Sequence, residues 1–201
     1  NELLAVDAVI ATAALPVVAD LVRPHVPAGY VTALGRIAYL ANVCVVLVLR
    51  RSLSDTYWLN VNDPGFPFVG VIEHTNFEPR ATYDGRHIVY ASKYLPESDP
   101  LFGMPDRDLV DFTVDHLRRM FPELTRDWVI DAHVWRARHS QPIVTRHYSE
   151  LIPSAVTPLR GFYLATMAQI YPQDRGTNYA IGAGRAIAAL VREQCAGRSL
   201  A

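Results

Sequence analysis

Lysine is nearly missing from this chain of 201 residues: Lys93 is the single lysine among 19 basic side chains. The skew reads as genomic base composition and assigns no function. Excess charge of either sign is absent too, with 19 basic against 20 acidic residues and a net charge of -1. A surface built to neutralise nucleic-acid phosphates needs a basic excess, so nucleic acid is not an expected partner. Cysteine is scarce. Cys44 and Cys195 stand far apart and outside any C-x-x-C pair, which argues against a zinc site, a redox dithiol or a disulfide framework and leaves the cytoplasm as the expected compartment. No apolar run is long: Val43–Leu49 falls far short of the roughly 20 residues that a membrane-spanning helix needs. No secretory signal, internal repeat or low-complexity segment is visible. G-x-S-x-G, H-E-x-x-H, P-loop and calcium-loop motifs are missing, and no strand is followed by G-x-G-x-x-G.

What is present is apolar. Half of the residues are hydrophobic, ample for a core without disulfides. Val6–Ala13, ending at Leu15-Pro16, reads as a buried strand, followed by one short helix before Pro24 and another near Val31–Ala38. Asn42–Arg50 is a continuous Val/Leu run, expected to be the central strand and covered on both faces. Strands at Tyr57–Val61, Phe68–Thr75 and His87–Ala91, separated by Asn62-Asp63-Pro64-Gly65 and Asp84-Gly85, predict an antiparallel meander. Asp106–Met120 predicts a helix: Leu109, Phe112, Leu117 and Met120 repeat at helical spacing, acids open it and Arg118-Arg119 close it. Trp128–Arg138 alternates as a strand with Trp128, Ile130, Ala132 and Val134 on its core face. Gly161–Met167 predicts a second buried strand. A last helix begins near Thr177, with Ile181, Gly184, Ala188 and Val191 as its packed face.

Chemistry-bearing residues are few. The turn Asp174-Arg175-Gly176-Thr177-Asn178 delivers free amides at a helix start, which attract anions and carbonyl oxygens, although an ordinary capped turn has the same composition. Glu73 and His74 are adjacent on a strand and face opposite ways, so a joint acid–base role is not expected, and a solvated edge or a satisfied polar contact is. His133, His139 and His147 are spaced too irregularly for a metal site, so no metal is expected. Trp135, Tyr148 and Tyr171 are candidates for a substrate pocket, with core packing as the alternative. Arg136 and Arg138 are candidate forks for a carboxylate or phosphate, or plain surface arginines.

The run GFYLATMAQIYPQDRGTNYAIGAGRAIAAL, from Gly161 to Leu190, resembles the C-terminal segment of the FAD-dependent amine oxidase, protoporphyrinogen oxidase and phytoene desaturase superfamily. Gly161, Tyr163, Leu164, Ala165, Ala180, Ile181, Gly184 and Ala188 fall in register with that segment. Asp7-Ala8-Val9-Ile10 with Pro16 resembles the family's D-x-V-I-x-A-x-P strand, and Trp135 with Pro142 its tryptophan-to-proline stretch. The resemblance implies FAD as cofactor, contacted by Met167, Asp174, Arg175, Gly176, Thr177 and Asn178, with the Thr177 amide nearest the flavin. Met167 stands where the family has an acidic residue. Val45 and Gly176 stand where the amine oxidases have a lysine and an aromatic residue, so amine oxidation itself is not implied.

The expected architecture is α+β: a mixed, largely antiparallel sheet with covering helices forms the substrate domain, and terminal segments belong to an FAD-binding Rossmann-like layer. Residues 1–24 would belong to that layer, 25–158 to the substrate-binding domain and 159–201 to the C-terminal FAD-binding strand and helix. The chain opens on Asn1 and not Met, and the ADP-binding module is expected upstream, making this the C-terminal, substrate-binding portion of an FAD-dependent oxidoreductase, inactive by itself. Its chemistry would be hydride transfer from a small organic substrate, with the missing module as partner. The alternatives are a flavin-dependent sugar-nucleotide mutase and a non-catalytic binding module.

Overall fold

A computed structural model of the protein describes residues 3–196. In chain order the elements are β1 (Val9–Ala11), α1 (Leu15–Val22), α2 (Ala28–Leu34), β2 (Tyr39–Leu49), β3 (Trp58–Asn60) and β4 (Gly70–Glu73). There follow β5 (His87–Leu95), α3 (Pro100–Gly103), α4 (Asp106–Met120), β6 (Val129–Pro142), β7 (Phe162–Leu164) and α5 (Thr177–Ala196). They divide into two units: residues 39–141, and the two ends, residues 1–38 with 142–201.

The middle unit is a five-stranded sheet of order β3-β4-β5-β2-β6. β3, β4 and β5 form the expected antiparallel meander, and β2 pairs antiparallel with β5 from Ala41–Leu95 to Leu49–His87. The Val/Leu run of β2 is interior but not central, since β5 holds the middle place. Nor is it covered equally on both faces. Ala41, Val43, Val45, Leu47 and Leu49 are buried, while the residues between them are half-buried. Strict alternation marks a sheet packed on one side, and the apolar residues of its other side misled the composition argument.

Helix α4 has the expected bounds, with Asp106 and Asp108 in its first turn and Arg118 and Arg119 in its last, complementing the helix dipole. Its packed face is rotated from the predicted one. Leu109, Thr113, Val114 and Leu117 are buried, whereas Phe112 turns outward to stack on His116, ring centroids 4.3 Å apart. Leu109, Val114 and Leu117 join the buried side of β2 and β5 in one core, where each such side chain contributes about 1.5–3 kcal/mol.

In the end unit, β1 and β7 pair in parallel, Val9 with Phe162 through Ala11 with Leu164. Both strands are shorter than the sequence predicts, because pairing stops where Ala165 N–H donates to Ala11 O and the chain turns at Thr166. Gly161, at φ +79°, provides the left-handed step into β7. Pro16 occupies the first turn of α1, where its missing N–H costs nothing, and Leu15, Val18 and Val22 line the buried face. The face of α5 also differs from expectation. Ile187 is its buried residue and Ile181 is 60% exposed, so the packed stripe runs through Ala183, Ile187 and Leu190.

Candidate functional site

Ligands of open parallel sheets bind beyond the carboxyl ends of the strands. The end unit has a cleft of about 390 Å³ at that place, formed by Thr12 just past β1, Ala165, Thr166 and Met167 just past β7, and Ala180 and Gly184 of α5. None of its lining residues is ionisable. Small side chains on α5 keep it open. Thr166 is 4% exposed and forms a capping box with Gln169, whose side chain accepts the Thr166 N–H at 2.8 Å. On the other side of the box Thr166 Oγ1 faces the Gln169 backbone N–H, and no further group bonds this buried hydroxyl among the described residues. A buried hydroxyl beside a cleft, with bonding capacity unspent, is a ready contact for a polar ligand group.

The turn before α5 has a defined role for each residue. The helical ladder begins with Ala180 N–H donating to Gly176 O at 3.0 Å, so the amides of Thr177, Asn178 and Tyr179 lie outside it. Asn178 Oδ1 lies where a Cβ on Gly176 would come within 2.7 Å, which excludes a side chain unless Asn178 moves. Asp174 accepts the Arg175 N–H at 2.7 Å, so its carboxylate braces the turn.

In the middle unit the open side of the sheet carries Trp58, Ile72, Tyr90 and Val46 in one cross-strand row and Asn60, Gly70, Ser92 and Cys44 in the next. Asn42 Nδ2 donates to Ser92 Oγ at 3.0 Å. His74 Nε2 lies 2.7 Å from the Tyr83 hydroxyl, and its ring sits edge-on to Tyr90 at 6.0 Å. Burial raises the Cys44 thiol pKa, against a smaller opposing hydrogen bond with Ser92. The Tyr90 phenol is also raised, first by burial and then by Tyr83, Cys44 and Tyr57.

Glu73 and His74 do face opposite ways. Glu73, 2% exposed, points to the core side and accepts from Ser52 Oγ at 2.6 Å and from the amides of Leu53 and Ser54 at 3.0 and 3.1 Å. It organises the backbone after β2. His87 Nδ1 lies 3.3 Å from Glu73 Oε1, and Arg80 Nη1 lies 3.2 Å from His87 Nε2. A guanidinium can only donate, so His87 Nε2 accepts from Arg80, and Nδ1 faces the carboxylate without completing a hydrogen bond.

A family model described as flavin containing amine oxidoreductase matches residues 1–192. The chain belongs to that family. No curated protein matches it. Among solved structures it is similar to a protein from Exiguobacterium sp. 255-15 assigned as a protoporphyrinogen oxidase, at 16% identity and a TM-score of 0.67 over 93% of this chain and 41% of that one. A putrescine oxidase variant redesigned in cofactor binding gives 13% identity and a TM-score of 0.67, over 93% of this chain and 43% of that one. Reduced UDP-galactopyranose mutase gives 11% and 0.58, over 75% and 33%. At these identities the likeness concerns the fold. The chain spans less than half the length of these structural relatives.

Within this member of the flavin-containing amine oxidoreductase family the expected site residues are distributed unevenly. Met167 lines the cleft and is 37% exposed. Tyr148 is fully buried, its hydroxyl donating to Ala168 O at 2.8 Å, and the half-exposed Tyr171 packs on its ring at 5.4 Å. Trp135, 66% exposed, belongs to the other unit, beside Asp106 and Arg107 of α4. Arg136 pairs with Asp106 and donates to Met104 O, and Arg138 pairs with Glu97 at 2.9 Å, so neither is a spare fork. Val45, aligned with the amine oxidases' lysine, is 2% exposed in the core, and its neighbours Cys44 and Val46 hold the open side. The residues that sequence reasoning missed are Thr166 and the His74–Tyr83–Tyr90 group. A threonine at a strand end has no distinctive spacing, and the three aromatic residues converge only through the fold.

Proposed function

We propose that this chain is the substrate-binding and C-terminal flavin-binding portion of an FAD-dependent oxidoreductase that oxidises or desaturates a small organic substrate. The observation that carries the reading is the uncharged cleft at the carboxyl ends of β1 and β7. Its lining fits the ring or ribityl part of a flavin, which hydroxyl and amide groups bind, better than a diphosphate, which needs cationic or multiple amide donors. In this assignment Thr166 Oγ1 and the Thr177 amide hold the cofactor, Met167 packs against it, and Gly176 and Asn178 shape the turn. Bound flavin supplies hydride acceptance; the protein's own part is to orient, desolvate and exclude water. Tyr171, steadied by Tyr148, belongs to the substrate side of this reading.

The two-stranded parallel layer leaves Val9 43% and Ile10 38% exposed, whereas parallel sheets are generally covered on both faces. We therefore assign the ADP half of the cofactor to a G-x-G-x-x-G module beyond these 201 residues. Visible absorbance tests the assignment. A polypeptide expressed from its natural start is expected to purify yellow and to be bleached anaerobically by its substrate with no added reductant, while the 201-residue chain holds flavin weakly. Both preparations colourless after incubation with FAD would refute it.

A further inference from the structure

The open side of the five-stranded sheet carries more chemistry than a solvent-facing surface requires. From β3 across to β2 its residues are Trp58, Asn60, Ile72, Ile88, Tyr90, Ser92, Tyr94, Asn42, Cys44, Val46 and Val48, with no carboxylate, lysine or arginine among them; beyond β2, β6 adds Asp131 and His133, whose Oδ2 and Nε2 lie 3.4 Å apart. Tyr90 stands on the middle strand between Ile72 and Val46. Its ring is braced edge-on by His74, which Tyr83 fixes at 2.7 Å. Asn42, Ser92 and Cys44 satisfy one another or the backbone, yet no hydrogen bond among the described residues engages the Tyr90 hydroxyl. A braced phenol with an unspent hydroxyl, flanked by apolar side chains, is the form of a hydrogen-bonding anchor in a small-molecule pocket.

We propose that Tyr90 is a specificity-determining anchor of this face, donating a hydrogen bond to the carbonyl or imine acceptor of an uncharged, flat substrate, with His74 and Tyr83 as positioning residues. Charge sets the class. An anionic substrate would meet no lysine or arginine here, and the one carboxylate on this side of the described strands, Asp131 of β6, already faces His133, so a charged group beside Tyr90 would lose its hydration without a free ionic partner. The phenol, which any tyrosine keeps protonated at neutral pH and whose pKa is raised further here, remains a donor there. The inference deepens the oxidoreductase reading by naming the substrate class, and rests on that reading for its meaning in catalysis.

The test is ¹H–¹⁵N NMR titration of the chain with benzamide, benzoate and benzylammonium as probes. Benzamide is expected to shift amides of β4, β5 and β2, and to bind at least about fivefold more tightly than either charged probe. Tyr90→Phe should weaken benzamide about fivefold, the worth of one net hydrogen bond, with core amides unmoved. Tyr83→Phe should weaken it by about twofold and reduce the ring-current shift that His74 imposes on Tyr90, which separates positioning from a folding defect. Equal or tighter binding of a charged probe, or unchanged benzamide affinity in Tyr90→Phe, overturns the proposal. None of these readings involves flavin. Benzamide bound as expected with FAD never bound would refute the oxidoreductase assignment alone, and flavin bound with Tyr90→Phe indifferent would refute this anchor alone.

Discussion

The two units solve the burial problem in opposite ways. The middle unit, one contiguous stretch of chain, closes a core between the β2–β5 face and α4, in which Leu47, Leu49, Val89 and Leu117 have no exposed surface. The end unit joins two distant segments through one pair of three-residue strands and leaves Val9, Ile10 and much of α5 exposed. Complete contacts are therefore concentrated in one unit, while small side chains and unspent hydrogen-bonding groups border a cleft in the other. A similar division recurs within the middle unit, between the sheet's apolar inner side and its more polar open side.

The largest expected effect is on the complete core. Leu47→Ala, at the centre of the β2–β5 face, should cost about 3 kcal/mol or more, read as a lowered denaturation midpoint of the middle unit by hydrogen exchange of β5 amides. If the protection of β1 and β7 amides falls equally, the two units unfold together and the contrast fails. Glu73→Ala tests the polar part of that core. It strands the Leu53 and Ser54 amides, while the Ser52 hydroxyl keeps Ser54 O as an acceptor at 2.8 Å, so about 3 kcal/mol is expected, and Glu73→Gln should recover part of it. A cost below that of an ordinary surface substitution would mean that water reaches the site.

In the end unit the discriminating change is Thr177→Pro. Proline is tolerated in the first turn of a helix, so the stability of α5 should be kept while one amide outside the ladder is removed. Flavin affinity of the longer, cofactor-holding protein is expected to fall about fivefold, the worth of one hydrogen bond. Unchanged affinity would move the cofactor contact away from this turn.

Legibility in the sequence followed the same division. Helix α4 was readable to its ends because charge, periodicity and Pro122 agree, and the meander because turn residues separate its strands. Faces were harder. Phe112 and Ile181 are apolar and at helical spacing, yet both point outward, because a period fixes which residues share a stripe and not which stripe meets a neighbour. β2 misled for a related reason: Val46 and Val48 lie on the open side and are as apolar as Val45 and Leu47. The family was legible in the last thirty residues, where strand, turn and small-residue helix occur in order. The Tyr90 group was not, since Tyr83 and Tyr90 are brought to His74 only by the turn at Asp84 and Gly85, with φ of +52° and +76°.

The smallest effect is the most specific to the open side. The raised pKa values of Cys44 and Tyr90 mean that both groups are held neutral in the folded state above the pH at which the unfolded chain ionises them. The unfolded chain then releases protons first, so the stability held below the unfolded pKa values is lost as pH rises through the folded ones. A decline beginning near about pH 9 is expected, lessened in Cys44→Ser and lessened further in Cys44→Ser with Tyr90→Phe. Alkylation of Cys44 by iodoacetamide should correspondingly lag behind a free thiol at pH 8 and converge with it only in stronger alkali, because the thiolate is the reacting form. Equal rates at pH 8 would show that the open side is wetter than its packing implies, and would weaken the contrast between a spent inner face and a poised outer one.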